Sequence, residues 1–202
     1  MSTKQLFIGI GGGTGSGKTT IAAEVVERLR PLNIYLMNQD RFFKPVAELP
    51  TYYSDFHQSP RPDFNRPDSF RVAEMVAACT AVTGCDVLIL EGILTLYYAE
   101  LRALMDICCY VAAPLEEMLI RRTQRNLAVG YGGPYEEIAH YNLECVRPQH
   151  RRYNWPTRRF ADVVIPNGLG DELLKEQAVA RLVGLVRESF SRMEEITNGE
   201  KG

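Results

Sequence analysis

The stretch Gly12-Gly13-Thr14-Gly15-Ser16-Gly17-Lys18-Thr19 matches the pattern GxxxxGK[ST], and few short motifs restrict a fold as much. Its glycines allow backbone angles that turn successive N–H groups inward, which makes a concave anion site. The helix that must follow places the positive end of its dipole at the same point. The flanks agree with this reading. Leu6–Gly11 is an apolar run ending in glycine, read as a buried strand. From Lys18 to Arg30 the residues Ile21, Ala22, Val25, Val26 and Leu29 recur at helical spacing until Pro31 stops them. Strand, loop and helix together predict a chain built around a nucleoside triphosphate. Gly12, Gly13, Thr14, Gly15, Ser16, Gly17, Lys18, Thr19 and Thr20 are the expected nucleotide-binding residues. Lys18 is placed to reach the β- and γ-phosphates, and the Thr19 hydroxyl to ligate Mg²⁺.

The rest of the chain continues the alternation. Ile34–Met37 reads as a second strand, and Asp86–Glu91 (DVLILE) as a parallel strand buried on both faces. Asp106–Val111 and Asp162–Ile165 read as two more. Helices are predicted from Pro67 to about Val82, over Pro114–Asn126, from about Tyr135 to Tyr153, and over roughly Glu172–Glu195. Phe42–Pro67 has no period and is read as a long loop or broken helix near a site. This pattern predicts a single three-layer α/β domain, the P-loop nucleoside triphosphate hydrolase fold, with a mainly parallel five-stranded sheet and helices on both faces.

Composition narrows the partners. The chain has 202 residues, of which 46% are hydrophobic and 24% charged, with a formal charge of −2. That balance gives no electrostatic reason to expect nucleic acid or an anionic membrane. No apolar run reaches the length that spans a bilayer. The five cysteines (Cys79, Cys85, Cys108, Cys109, Cys145) show no CxxC pair. They read as reduced thiols of a cytoplasmic protein. The sequence leaves the oligomeric state open, a homo-oligomer included.

Acceptor chemistry is expected at Asp40, which follows the second strand at the edge where open α/β sheets bind ligands. A carboxylate there can take the proton of an attacking hydroxyl and hold it in line. Glu91, at the end of the DVLIL strand, is the second expected metal residue. Arg121, Arg122 and Arg125 stand at helical spacing before Gly130, Gly132 and Gly133. They predict a lid over about residues 121–135, with Arg122 and Arg125 stabilising the transferred charge. Tyr52, Tyr53 and Phe56 are candidates for stacking on a planar acceptor. His57, His140 and His150 show no triad or metal spacing and read as surface or packing residues.

Several of these stretches fall in a known order. Gly11–Thr20, Gln39–Pro45 (QDRFFKP), Phe64–Phe70 (FNRPDSF), Leu88–Leu94 (LILEGIL) and Arg158–Gly168 (RRFADVVIPNG) resemble the uridine kinases and nicotinamide riboside kinases. The resemblance implies an ATP-dependent, Mg²⁺-requiring kinase of a riboside 5′-hydroxyl, with Asp40 at the catalytic aspartate. It also implies substrate contacts at Asp40, Phe43, Phe64, Asn65 and Asp68. Asn65 stands where that family carries a ribose-binding aspartate, with Asp68 nearby as a substitute. Uridine kinases have a base-reading hairpin before the LILEG strand, and Arg71–Cys85 is too short to hold it. Two alternatives therefore stand beside a riboside kinase. One is a kinase of a non-nucleoside alcohol, like the related phosphoribulokinases or pantothenate kinases. The other is a non-catalytic nucleotide-binding module.

Overall fold

A computed structural model describes residues 5–199, with side chains to residue 192. In chain order the elements are β1 (Leu6–Gly12), α1 (Lys18–Arg28), β2 (Ile34–Asn38), β3 (Thr51–Ser54), β4 (Ser59–Pro62), α2 (Val72–Ala81) and β5 (Val87–Gly92). They continue with α3 (Ala99–Arg102), β6 (Ile107–Ala112), α4 (Leu115–Ala128), α5 (Tyr135–Tyr141), α6 (Arg147–Gln149), β7 (Val163–Pro166) and α7 (Glu172–Gly199). Five strands form one parallel sheet in the order β2-β5-β1-β6-β7. This is the α/β P-loop architecture expected from the alternating pattern.

β1 and β5 lie inside the sheet, which is why they are apolar throughout. Leu6, Ile8 and Ile10 turn to one face, against Ile21 and Val25 of α1, Leu29 at its end, and Val179, Leu182 and Val186 of α7. Phe7, Leu88 and Leu90 turn to the other, against Met75 and Cys79 of α2, with Leu94, Tyr98 and Leu101. Cys109 is buried in the first of these clusters, and Cys108 lies in a smaller one with Leu96 and Tyr110. The carboxyl ends of β2, β5 and β1 lie next to one another, and their register sets Glu91 between Asn38 and Ile10, two residues before Gly12.

Three regions depart from the sequence reading. Phe42–Pro67 is not an unstructured loop, because β3 and β4 pair as an antiparallel hairpin within it. Pro60 and Pro62 hide the strand signal, yet a two-stranded ribbon tolerates them where no N–H is needed. The helix expected from Pro67 is broken: a 3₁₀ turn over Pro67–Ser69 is followed by extended Phe70, whose backbone bridges to Phe43, and α2 starts at Val72. The helix expected over Tyr135–Tyr153 opens into π turns at Asn142–Val146 and His150–Asn154. Pro148, between them, lacks an N–H, and its ring crowds the carbonyl one turn back. A 3₁₀ stretch over Trp155–Phe160 leads into β7.

Candidate active site

The phosphate loop bends tightly between β1 and α1. Gly15 and Gly17 have φ of 79° and 90°, values that suit glycine alone. A Cβ on Gly15 would run into the Met118 carbonyl of α4, so the loop is also packed from behind. Lys18 and Thr19 open α1 and project into a cavity of about 350 Å³, with Thr14 beside them. Thr20 is exposed and outside the cavity lining. Burial at the cleft floor lowers the Lys18 pKa, with Arg125 adding to the effect, against the pull of the Glu91 and Asp40 carboxylates.

Asp40 reaches the cavity because its neighbours are anchored. Asn38 caps the short helix Gln39–Phe42 by accepting the Asp40 N–H at 2.7 Å. Gln39 is fully buried and accepts the Leu94 N–H at 2.9 Å. Phe42 is buried as well. The local geometry leaves Asp40 facing the cleft.

Glu91 is 1% exposed. Its Oε1 accepts from the Thr19 hydroxyl at 3.1 Å and from the Asn38 amide. Its Oε2 has no hydrogen-bond partner among the described residues. Burial raises the Glu91 pKa, while Lys18 and the Thr19 hydrogen bond act against it. A buried carboxylate oxygen left free beside a hydroxyl is a hard-oxygen donor set, and it fits Mg²⁺.

The three arginines of α4 divide. Arg122 is buried against the Tyr141 ring, with its guanidinium carbon 5.2 Å from the ring centroid, and donates to Asn142 Oδ1 at 2.6 Å. Arg125 donates to Asn126 Oδ1 at 3.2 Å, and both arginines line the cavity. Arg121 turns the other way. It donates to the Asn167 carbonyl at 2.7 Å and pairs with Glu117 at 2.7 Å. One helix face therefore carries two of the three into the site. Asn167 in turn donates to the Ser16 carbonyl of the phosphate loop at 2.7 Å.

On the acceptor side Phe43, Phe64 and Asn65 line the cavity, and the Phe43 and Phe64 rings meet edge-on with centroids 5.4 Å apart. Asn65 donates its amide to Tyr141 Oη at 2.9 Å, so its one oxygen remains as acceptor. Asp68 does not belong to this group. It forms a two-pronged pair with Arg66, is 52% exposed, and is absent from the lining. The carboxylate near Asn65 is instead Asp63, fully buried and held by the Asn65 N–H and Gln149.

The hairpin closes the far end, and here the sequence reading missed most of the site. Tyr52 lines the cavity and meets Tyr141 edge-on at 5.8 Å, whereas Tyr53 is 59% exposed on the opposite face. Phe56 stacks on His140 at 4.1 Å and is not part of the lining. Ser54, His57, Arg61, Tyr131, Glu137 and His140 line it without having been singled out for that role. His57 and His140, read as surface or packing residues, are half-buried and also line the cavity, and His57 pairs with Glu137 at 2.8 Å. The run Thr51-Tyr52-Tyr53 was the one local signal for this strand.

A family model described as the phosphoribulokinase / uridine kinase family matches residues 57–173, more than half of the chain. A uridine kinase of Bacillus licheniformis is 31% identical over 193 residues, covering 83% of this chain and 89% of that protein. A uridine kinase of Clostridium botulinum is 27% identical over 209 residues, covering 91% and 98%. Among solved structures, the shikimate kinase of Bacteroides thetaiotaomicron superposes with a TM-score of 0.52 at 18% identity, covering 90% of this chain and 98% of that one. That last likeness bears on the fold alone. With sheet order, phosphate loop and matches in agreement, the chain belongs to the phosphoribulokinase/uridine kinase family and is an ATP-dependent kinase.

Proposed function

We propose that the chain transfers the γ-phosphoryl of ATP to the primary hydroxyl of a riboside. The observation that carries this reading is one cavity with two unlike halves. Lys18, Thr19, Asp40 and Glu91 occupy one half, and Phe43, Phe64 and Asn65 the other. Its volume of about 350 Å³ lies within the ~300–1,000 Å³ of small-molecule pockets.

In this reading the loop N–H groups and Lys18 hold the phosphates. Thr19 and Glu91 hold Mg²⁺, which when bound neutralises charge on the phosphate oxygens. Asp40 accepts the proton of the acceptor hydroxyl and keeps its oxygen in line with the phosphorus. Phosphoryl transfer passes through a loose transition state, so this positioning contributes more than basicity. Arg122 and Arg125 stabilise charge on the departing phosphoryl, and residues 121–135 act as a lid that keeps water out. A second reading, a non-nucleoside alcohol as acceptor, is favoured by Asn65. It offers the acceptor one neutral oxygen where a carboxylate would give charge-assisted hydrogen bonds.

A coupled ADP-release assay with product mass separates the readings. It uses ATP and Mg²⁺ with uridine, cytidine, nicotinamide riboside and several non-nucleoside alcohols. Acceptor-dependent ADP release with a riboside monophosphate is the expected result. Product from a non-nucleoside alcohol, with every riboside silent, would replace the first reading by the second.

A further inference from the structure

The arginines of α4 are held in two different ways, and the difference follows the cavity. Arg121, which turns away from it, is paired with a carboxylate, Glu117 at 2.7 Å. Arg122 and Arg125, which line it, are held by neutral oxygens. Arg122 donates to Asn142 Oδ1 at 2.6 Å. Arg125 donates to Asn126 Oδ1 at 3.2 Å from Nη2 and at 3.4 Å from Nε. Among the described residues neither of these two arginines has a carboxylate within salt-bridge distance.

Both asparagines are built into the fold, Asn142 at 3% exposure and Asn126 at 1%. Asn142 opens the first π turn, and its amide can face only one way. The Thr123 hydroxyl donates to the Leu119 carbonyl at 2.8 Å, so toward Asn142 it acts as an acceptor and takes Nδ2 at 2.8 Å. Oδ1 is thereby turned to Arg122. Asn126 also receives the Tyr131 N–H on its backbone carbonyl at 2.8 Å, beside the glycines of the lid. Its Nδ2 is buried with no partner among the described residues. An unpaired buried N–H group costs about 1–3 kcal/mol, which makes an amide a poor choice there for packing alone.

Amide and carboxylate differ in what they leave of the charge. A carboxylate fixes a guanidinium firmly but cancels most of its field at a distance. An amide oxygen fixes it and leaves the charge whole. The cavity cations are close enough to oppose one another. Burial lowers the Arg122 pKa, and Arg125 adds to this against the pull of Tyr141. Burial lowers that of Lys18 as well, again with Arg125 adding to it. Positive charge gathered in this way, with acids kept off both guanidiniums, is preorganised for a group that gains negative charge as it moves.

We propose that Asn142 and Asn126 are positioning residues for phosphoryl transfer: they orient Arg122 and Arg125 toward the transferred group without neutralising them. This rests on the reading of both arginines as stabilising that group. The asparagines act through the arginines and do not themselves touch the nucleotide.

The test compares two replacements at the same place. Asn142→Ala removes the oxygen and adds no charge. Asn142→Asp keeps an oxygen on Arg122 and cancels its charge. ADP release by the full chain is followed with ATP and Mg²⁺, both with the acceptor panel above and with water as the sole acceptor. Transfer to water engages the same phosphoryl group and does not depend on which alcohol is the substrate. Asn142→Ala is expected to lower kcat about 10-fold, and Asn142→Asp about 100-fold or more. The KM for ATP should stay within about threefold in both. The melting temperature of Asn142→Asp should equal or exceed that of Asn142→Ala, because the arginine is held at least as firmly. In an Arg122→Gln background the difference between the two replacements should vanish, as a double-mutant cycle requires of a residue that acts through another. The same order is expected at Asn126, whose partner Arg125 is exposed and so accommodates a carboxylate more readily. An Asp variant as active as its Ala counterpart overturns the proposal, since the oxygen would then serve only as a tether. A difference that persists without Arg122 also overturns it. So does a lower melting temperature in Asn142→Asp with the KM for ATP raised in step, which would assign the loss to damage of the fold. If Arg122→Gln and Arg125→Gln turn over like the parent, the reading of the arginines fails and the proposal falls with it.

Discussion

At the phosphate end of the cavity, Thr14, Lys18 and Thr19 come from one short stretch between β1 and α1. At the hairpin end, Tyr52, Arg61, Asn65 and Tyr141 come from segments up to about ninety residues apart in the chain. The first end is rigid for local reasons: glycine angles, a helix start and buried strands on either side. The second is held by side chains that meet across elements. Ser54 and Phe56 reach Glu144, Asn65 reaches Tyr141, and His57 reaches Glu137. The contrast separates two tasks. A phosphate group has one shape, and a local loop suffices for it. An acceptor varies, and the wall that meets it can be re-cut by changing a hairpin without disturbing the loop.

The comparison breaks most sharply at Asp40, to which the proposed function gives a part in the chemistry but none in the nucleotide cradle. Asp40→Asn should lower kcat by roughly 10²–10⁴, the usual contribution of a positioned base. ATP affinity, read by titration calorimetry, should stay close to that of the parent protein. Near-normal turnover in this variant would remove Asp40 from the proton transfer.

A second test concerns His150, which stands behind the phosphate loop on the same helical segment that supports the hairpin end. Burial holds its pKa down to about 4, with Arg151 contributing and an Asn154 hydrogen bond opposing. Its Nδ1 has no partner among the described residues, and a Cβ on Gly13 would touch it. The depressed value means that the unfolded chain binds the proton more readily. Stability from the neutral imidazole is therefore full above about pH 6.5 and is lost as pH falls toward about 4. The loss amounts to about 3 kcal/mol at most. Urea unfolding at several pH values should show this slope, and His150→Gln should flatten it. A slope unchanged in the variant would assign the acid sensitivity to other groups.

The smallest effect sharpens the same contrast. Tyr141→Phe removes the oxygen that takes the Asn65 amide and lies 3.4 Å from the Phe64 N–H. The cost is that of one or two neutral hydrogen bonds, about 1–2 kcal/mol. It should appear as a roughly 10-fold rise in the acceptor KM with little change in the KM for ATP. Equal changes in both would mean that the two ends are not independent.

The outcomes at particular residues follow one line. The phosphate loop, the parallel strands and Asp40 were legible because their signals are short-range. A glycine spacing, an apolar run and a carboxylate after a strand each lie within a few residues. Glu91 was legible for the same reason, as the acid closing an apolar strand. The hairpin was not, since Pro60 and Pro62 mask β4 and the partner that holds it lies on α5 and the π turn beyond. Asp68 illustrates the reverse error. Its place in the chain suggested a substrate contact, but the Arg66 guanidinium two residues away captures it.

Sequence alone determined the class of machine: a phosphate cradle on a parallel sheet, with a carboxylate at its edge. Those features depend on backbone angles and hydrogen bonds within consecutive residues. Tertiary structure decided which arginines of α4 face the cavity, that the Asn65 amide nitrogen is taken by Tyr141 while its one oxygen is left, and that Arg61, paired with Tyr52 across the hairpin, joins the cavity wall. Each of these is a competition among side chains brought together by folding. Its outcome depends on which donor and acceptor lie within about 3 Å of each other, and no local spacing encodes that.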